Sequence, residues 1–171
     1  MPTFPPLAHI AVTVRDLSVS VPWYSALFDT DPVLDEDTDP DMHHTVFLLG
    51  GTLFGVHQHG VAAPAEAFSE YRVGLDHAAF GCADRAELEK WVLRLDELGI
   101  AHGGIKDASY GSGISVRDPD GIALQLFAPP ARTTTGPGGS QRRVCRSSPR
   151  SWALTIAIAI ASGLLSASRM R

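Results

Sequence analysis

The chain repeats itself. The stretch His9-Ile-Ala-Val-Thr-Val-Arg-Asp-Leu reads like His77-Ala-Ala-Phe-Gly-Cys-Ala-Asp-Arg, 68 positions later, and each reads as a short strand that opens on histidine and ends at aspartate. A repeat of that period within 171 residues confines the fold to two copies of one small unit.

The elements after each histidine follow one order. A helix over about Ser18–Phe28 is expected, with Ser18 as its cap, Val21, Tyr24, Leu27 and Phe28 as its apolar stripe, and Pro22 tolerated near the start. Its counterpart opens on a capping box of Asp84 and Glu87, buries Leu88, Trp91, Val92, Leu95 and Leu98, and stops at Gly99. Strand signals follow at Pro32–Asp37, Thr45–Leu49 and Thr52–His59 in the first half, and at Ile100–Lys106, Gly113–Arg117 and Ile122–Phe127 in the second. Asp118-Pro119-Asp120-Gly121 carries the signature of a type I turn, and Gly50-Gly51 takes the same place in the first half. Neither βαβββ unit is large enough to bury its own sheet. The expectation is therefore an α+β fold in which two paired units form an open, cleft-bearing, barrel-like sheet.

Charge divides the chain in a different way. Seven of its 14 basic residues and none of its 19 acidic ones fall in 131–171, which leaves residues 1–130 at −12. An acidic body repels phosphate backbones and draws cations, which disfavours a nucleic-acid role for the domain. The first residues, Met-Pro-Thr-Phe-Pro-Pro, lack a basic and apolar leader pattern, and Cys82 and Cys145 lie in different segments. The expectation is a cytoplasmic domain without structural disulfides. Residues 131–150 read as a disordered basic linker. Residues 151–171 are an apolar C-terminal segment whose stretch 151–168 is at the lower edge of bilayer-spanning length, so membrane contact is a minority reading beside a surface helix or a functionless extension.

Three pieces of the body, Leu-Ala-His-Ile-Ala-Val-Thr-Val-Arg-Asp-Leu, Gly-Leu-Asp-His-Ala-Ala-Phe and Arg-Asp-Pro-Asp-Gly-Ile-Ala-Leu-Gln-Leu-Phe, resemble the vicinal oxygen chelate superfamily of glyoxalases, bleomycin resistance proteins and extradiol dioxygenases. The resemblance covers residues 6–129, with modules at about 6–60 and 74–129, and implies the glyoxalase fold and a homodimer. It also implies a divalent ion (Zn, Ni, Mn or Fe) held at His9, His77, Gly55 and Gln125. Gly55 has no side chain to offer, and Gln125 stands where the family usually has glutamate. The ligand set the resemblance implies is therefore His9, His77 and Gln125, two neutral imidazoles and an amide that would leave the ion's charge uncompensated. The missing carboxylate argues against ring-cleaving iron chemistry, which uses two histidines and one carboxylate. The empty position 55 argues against glyoxalase I itself.

His57 and His59 share the strand parity of Gly55, which makes His57 a candidate acid/base group or replacement ligand, while His43 and His44 read as loop or strand-edge residues. Phe54, Tyr110 and Arg117 are candidates to line a substrate pocket, with Arg117 suited to a carboxylate or phosphate. Two functions stay open: a metal-dependent enzyme of lyase, isomerase or transferase type acting on a small oxygenated substrate, and a metal-free protein that sequesters a drug or metabolite. Structural roles at strand starts remain the plain alternative for the two histidines.

Overall fold

The computed structural model describes residues 2–60 and 66–131. The first half contains β1 (His9–Thr13), α1 (Leu17–Phe28), β2 (Leu34–Asp39), β3 (Met42–Leu49) and β4 (Thr52–His59). The second contains β5 (Ala78–Gly81), α2 (Arg85–Glu97), β6 (Lys106–Ala108), β7 (Gly111–Arg117) and β8 (Ala123–Ala128). The expected order, strand, helix and three strands twice over, is present. The linker and apolar segment expected in the tail lie outside the described residues, apart from Ala131.

Each half forms a four-stranded mixed sheet, ordered β1-β4-β3-β2 and β5-β8-β7-β6. The first strand of each unit runs parallel to the last, and the remaining pairs are antiparallel. The sheets are open and do not close into a barrel. Strand β2, Leu34-Asp-Glu-Asp-Thr-Asp, is an outer strand, and its run of carboxylates discourages pairing with another chain.

Alternation gives every strand a helix-facing and an open face. The helix-facing side of the first sheet buries Val12, Phe47, Phe54 and Val56 with Tyr24 and Leu27 of α1. That of the second buries Ala78, Ile114, Val116, Leu124 and Leu126 with Leu88 and Leu95 of α2. One cluster spans both halves, because Phe80 of β5 packs its ring against Phe28 and Phe54, with centroids 5.5 and 5.8 Å apart. The Tyr24 hydroxyl, fully buried, donates to Asp118 Oδ2 at 2.9 Å and ties α1 to the turn between β7 and β8.

Three local expectations are corrected. The cap of α1 is Asp16, whose carboxylate accepts from the Ser18 N–H; Ser18 itself adds its hydroxyl to the same oxygen. The strand expected over Ile100–Lys106 shrinks to Lys106–Ala108, because Gly103-Gly104 breaks it and Gly104 takes a left-handed φ of 70°. His43 and His44 lie inside β3, which begins at Met42. Phe54 points into the core.

The helix α2 follows its sequence closely. Asp84 accepts from the Glu87 N–H, Glu87 accepts from the Ala83 N–H, and Ile100 N–H returns to the Leu95 carbonyl beyond Gly99. The Gly121 N–H donates to the Asp118 carbonyl at 2.9 Å, which closes the expected turn.

Candidate functional site

Registers place equivalent residues of the two units at equivalent points. Gly55 of β4 faces Ala11 of β1, and Gln125 of β8 faces Ala79 of β5. Each alanine is two residues beyond the histidine that opens its unit, so His9 with Gly55 and His77 with Gln125 occupy matched places on the open faces. The duplication seen in the sequence is thus a duplication of positions.

On the first sheet, one row across the open face reads Glu36, His44, His57 and Thr13. The His44 and His57 rings have centroids 5.5 Å apart, and His44 Nε2 lies 3.6 Å from Glu36 Oε1 while Nδ1 meets the Thr38 hydroxyl at 3.0 Å. That Nε2 is buried and has no hydrogen-bond partner among the described residues. His57 leans over Gly55: its Nε2 lies 2.7 Å from where a Cβ on residue 55 would stand. The imidazole therefore takes the space a side chain at 55 would fill, and the glycine is what admits it. Burial, then the nearby His44, His59 and His9, hold the His57 pKa below the usual histidine range, so this ring is neutral at pH 7 and able to accept a proton.

The helix side of the same sheet holds a different histidine. His43 meets Asp37 through Nδ1 at 2.7 Å and Asp35 through Nε2 at 2.8 Å, and these partners raise its pKa. With both nitrogens engaged by carboxylates, His43 favours the imidazolium and is a structural cation.

On the second sheet, Gln125 faces Ser115 of β7, and its Nε2 lies 2.9 Å from where a Cβ on Gly113 would stand. Here a glycine on the neighbouring strand opens room for the Gln125 side chain. A recess of about 140 Å³ is lined by His77, Ser115, Arg117 and Gln125, together with Glu70, Asp76, Ala123 and Leu124. His77 Nδ1 meets Asp76 Oδ1 at 2.5 Å, so a carboxylate orients the ring and leaves Nε2 as the free nitrogen. Arg117 is held in a fork by Glu70, with NH2 donating to Oε1 at 2.6 Å and NH1 to Oε2 at 3.3 Å.

Of the residues singled out in the sequence, the recess brings together His77, Gln125 and Arg117. His9 is exposed at the start of β1 and belongs to the face that carries His57. Tyr110, largely exposed, stacks on Phe127 of β8 with centroids 6.4 Å apart. Phe54 is 1% exposed and packs on Tyr24, Phe28 and Phe80, although it also borders a hollow between the halves that includes His77.

Sequence reasoning missed Glu36, His44, Glu70 and Asp76. His44 was within reach, because the two-residue turn Gly50-Gly51 fixes the register of β3 on β4 and sets His44 opposite His57, whereas Glu36 needed the separate pairing of β2 on β3. No pattern marks Glu70, which lies in the connector before β5.

The donor set tests the implied metal. Among the described residues, no group of three or more histidine, cysteine or acidic side chains is arranged to hold an ion. His77 and Gln125 meet in one recess, with His9 on the other sheet. Within one chain these residues do not make a three-ligand metal centre.

Paired βαβββ units, each opening on histidine and offering the middle of its last strand to an open face, define a vicinal oxygen chelate domain. The model of the Glyoxalase/Bleomycin resistance protein/Dioxygenase superfamily matches residues 7–126, and the chain belongs to that superfamily. No curated protein matches the chain. Among solved structures it is similar to a glyoxylase/bleomycin resistance protein/dioxygenase domain from Frankia sp. EAN1pec, 26% identical, covering 74% of this chain and 99% of that one at a TM-score of 0.68. It shares its fold with lactoylglutathione lyase from Agrobacterium tumefaciens, 20% identical over 73% of this chain and 96% of that one (TM-score 0.56). The fold also matches the fosfomycin resistance protein FosX from Listeria monocytogenes, 18% identical over 74% and 94% (TM-score 0.58).

Proposed function

We propose that the chain is a glyoxalase-type protein that takes a small oxygenated molecule into the recess of the second sheet, with His77, Ser115, Gln125 and Arg117 as its polar contacts. The observation that carries this reading is their convergence: a cation, an amide, a hydroxyl and a carboxylate-oriented imidazole around one hollow, at the point where the duplication sets its matched histidine and mid-strand residue. Fold alone does not choose among the activities of the superfamily, so the reading rests on this site.

His57, neutral and seated over Gly55, keeps a proton-accepting role in the enzymatic form of the proposal, but from the open face of the first sheet, since it does not line the recess of its own chain. Cytoplasmic location, a homodimer and a domain ending near residue 130 belong to the same proposal. Within one chain His77 and Gln125 share the recess while His9 lies on the other sheet. The metal-dependent form keeps one specific support, the Asp76 carboxylate on His77, an arrangement that commonly orients a ligating imidazole. The sequestering form is favoured by Gly55 and Gln125, which supply no carboxylate.

Divalent-metal stoichiometry of the purified full chain, titrated with Zn²⁺, Ni²⁺, Mn²⁺ and Fe²⁺, separates these forms. One ion per chain, lost on His77→Ala, selects the metal-dependent enzyme. No uptake of any ion, with retained binding of small oxygenated molecules, selects the metal-free forms; loss of that binding in neither Gln125→Ala nor His77→Ala sinks the recess as the site.

A further inference from the structure

The recess holds one internal contact that the proposed ligand-binding role does not explain. Arg117 is a residue of β7, two positions beyond Ser115 and opposite Ala123, so its place on the sheet is fixed by strand register. Its partner Glu70 comes from the connector between the halves, 47 residues away. The two carboxylate oxygens meet the two terminal nitrogens of the guanidinium, which is the geometry in which arginine takes up a carboxylate or phosphate from a ligand. Arg117 also donates to the Gly121 carbonyl at 3.2 Å, which anchors the head group on the protein side.

We infer that Arg117 is the anion-binding group of this recess and that Glu70 is its built-in competitor, displaced when a ligand brings its own carboxylate, phosphonate or phosphate. The inference deepens the recess reading and rests on it: it names the ligand class as a small oxyanion with a further oxygen within reach of Ser115 and Gln125. Several observations support displacement over a purely structural bridge. The pair is partly solvent-exposed, with side chains 49% and 31% accessible, so breaking it costs little. Glu70 stands on a connector outside any helix or strand, and its backbone needs no ladder bond to be undone. The other carboxylate of the recess, Asp76, is occupied by His77 and does not compete for the guanidinium at hydrogen-bond distance. In a body at −12 the long-range field repels anions, so selection falls to this local fork.

The competitor sets how the ligand is felt. A weak or singly contacting anion does not displace a bidentate carboxylate, whereas one that forks the guanidinium and also reaches Ser115 or Gln125 does. Glu70 therefore acts as a threshold for specificity.

The test is isothermal titration of the full chain with inorganic phosphate, methylphosphonate and acetate at low ionic strength in the presence of chelator, with thermal melts to confirm folding. Glu70→Gln is expected to bind phosphate and methylphosphonate about threefold to fivefold more tightly than wild type, and Arg117→Gln to lose the binding. Equal affinity in Glu70→Gln and wild type, or undiminished affinity in Arg117→Gln, overturns the inference. Gln125→Ala and Ser115→Ala separate it from the broader reading. If they leave anion binding unchanged while the Glu70 and Arg117 effects hold, the Arg117–Glu70 clamp stands and the contacts proposed for Ser115 and Gln125 fall. If they weaken ligand binding and Glu70→Gln changes nothing, the recess stands and the competitor is refuted.

Discussion

Two histidines on opposite faces of the first sheet respond to pH with opposite sign. His57 has a folded pKa below its unfolded value near 6.5, so the stability linked to it is present above that pH and is lost as the solution is acidified toward the folded pKa. His43 has a raised pKa, so its contribution is complete below about 6.5 and is lost as pH rises through the folded value. Urea melts across pH 5 to 8 are expected to show a smaller acid-side loss in His57→Gln and a smaller alkaline-side loss in His43→Asn than in wild type. The unchanged acid limb of a His57→Gln variant would remove the case for its neutral state. Gly55→Ala belongs to the same argument: its Cβ collides with His57 Nε2, so the ring must move off the strand, and an NMR titration is expected to find its pKa closer to 6.5. His57 was legible from strand parity and His44 was within reach of the Gly50-Gly51 turn, whereas Glu36 was not legible, because the pairing of β2 on β3 had to be assembled first. Glu70 had no periodic pattern to reveal it.

Among the elements, α2 is the one whose boundaries the sequence wrote most completely. Asp84, Glu87 and Gly99 satisfy its terminal backbone groups locally, within a few residues of each other. Asp84→Ala removes the acceptor for the Glu87 N–H and is expected to lower stability by about 1 kcal/mol in chemical denaturation. Helix α1 was placed correctly and capped two residues too late, since Asp16 and Ser18 are both good caps and the choice between them depends on where the incoming strand ends. Strand β6 was overestimated for a related reason. Ile100 and Ile105 are apolar because they pack on the core, and apolar residues flanking Gly103-Gly104 look like a strand in sequence while the backbone between them turns.

Across the whole molecule, the halves share one core through Phe28, Phe54 and Phe80 and are tied by the Tyr24 bond to Asp118. Burial pushes the Asp118 carboxyl upward, while the N–H groups of Asp120 and Ile122 and the Tyr24 hydroxyl favour its ionised form. Tyr24→Phe leaves that buried acid short of one donor, and a single unfolding transition with a loss of about 1 to 2 kcal/mol is expected. All described core residues fall between Ile10 and Ala128, so a chain ending at Ala131 is expected to melt within about 2 °C of the full chain, by calorimetry. A markedly lower melting temperature would place part of the folded unit in the tail. The sequence by itself determined the duplication and the βαβββ order, because these depend on local periodicity and on short-range turns, while the superfamily and the matched places of His9, Gly55, His77 and Gln125 came from the resemblance of its motifs to a known family. Only the tertiary structure decided that His57 fills the space over Gly55, that His77 and Gln125 share a recess with Arg117, and that Glu70 occupies its guanidinium. Those contacts join residues from different strands and from a connector, and the path of a connector is set by the packing of everything it crosses.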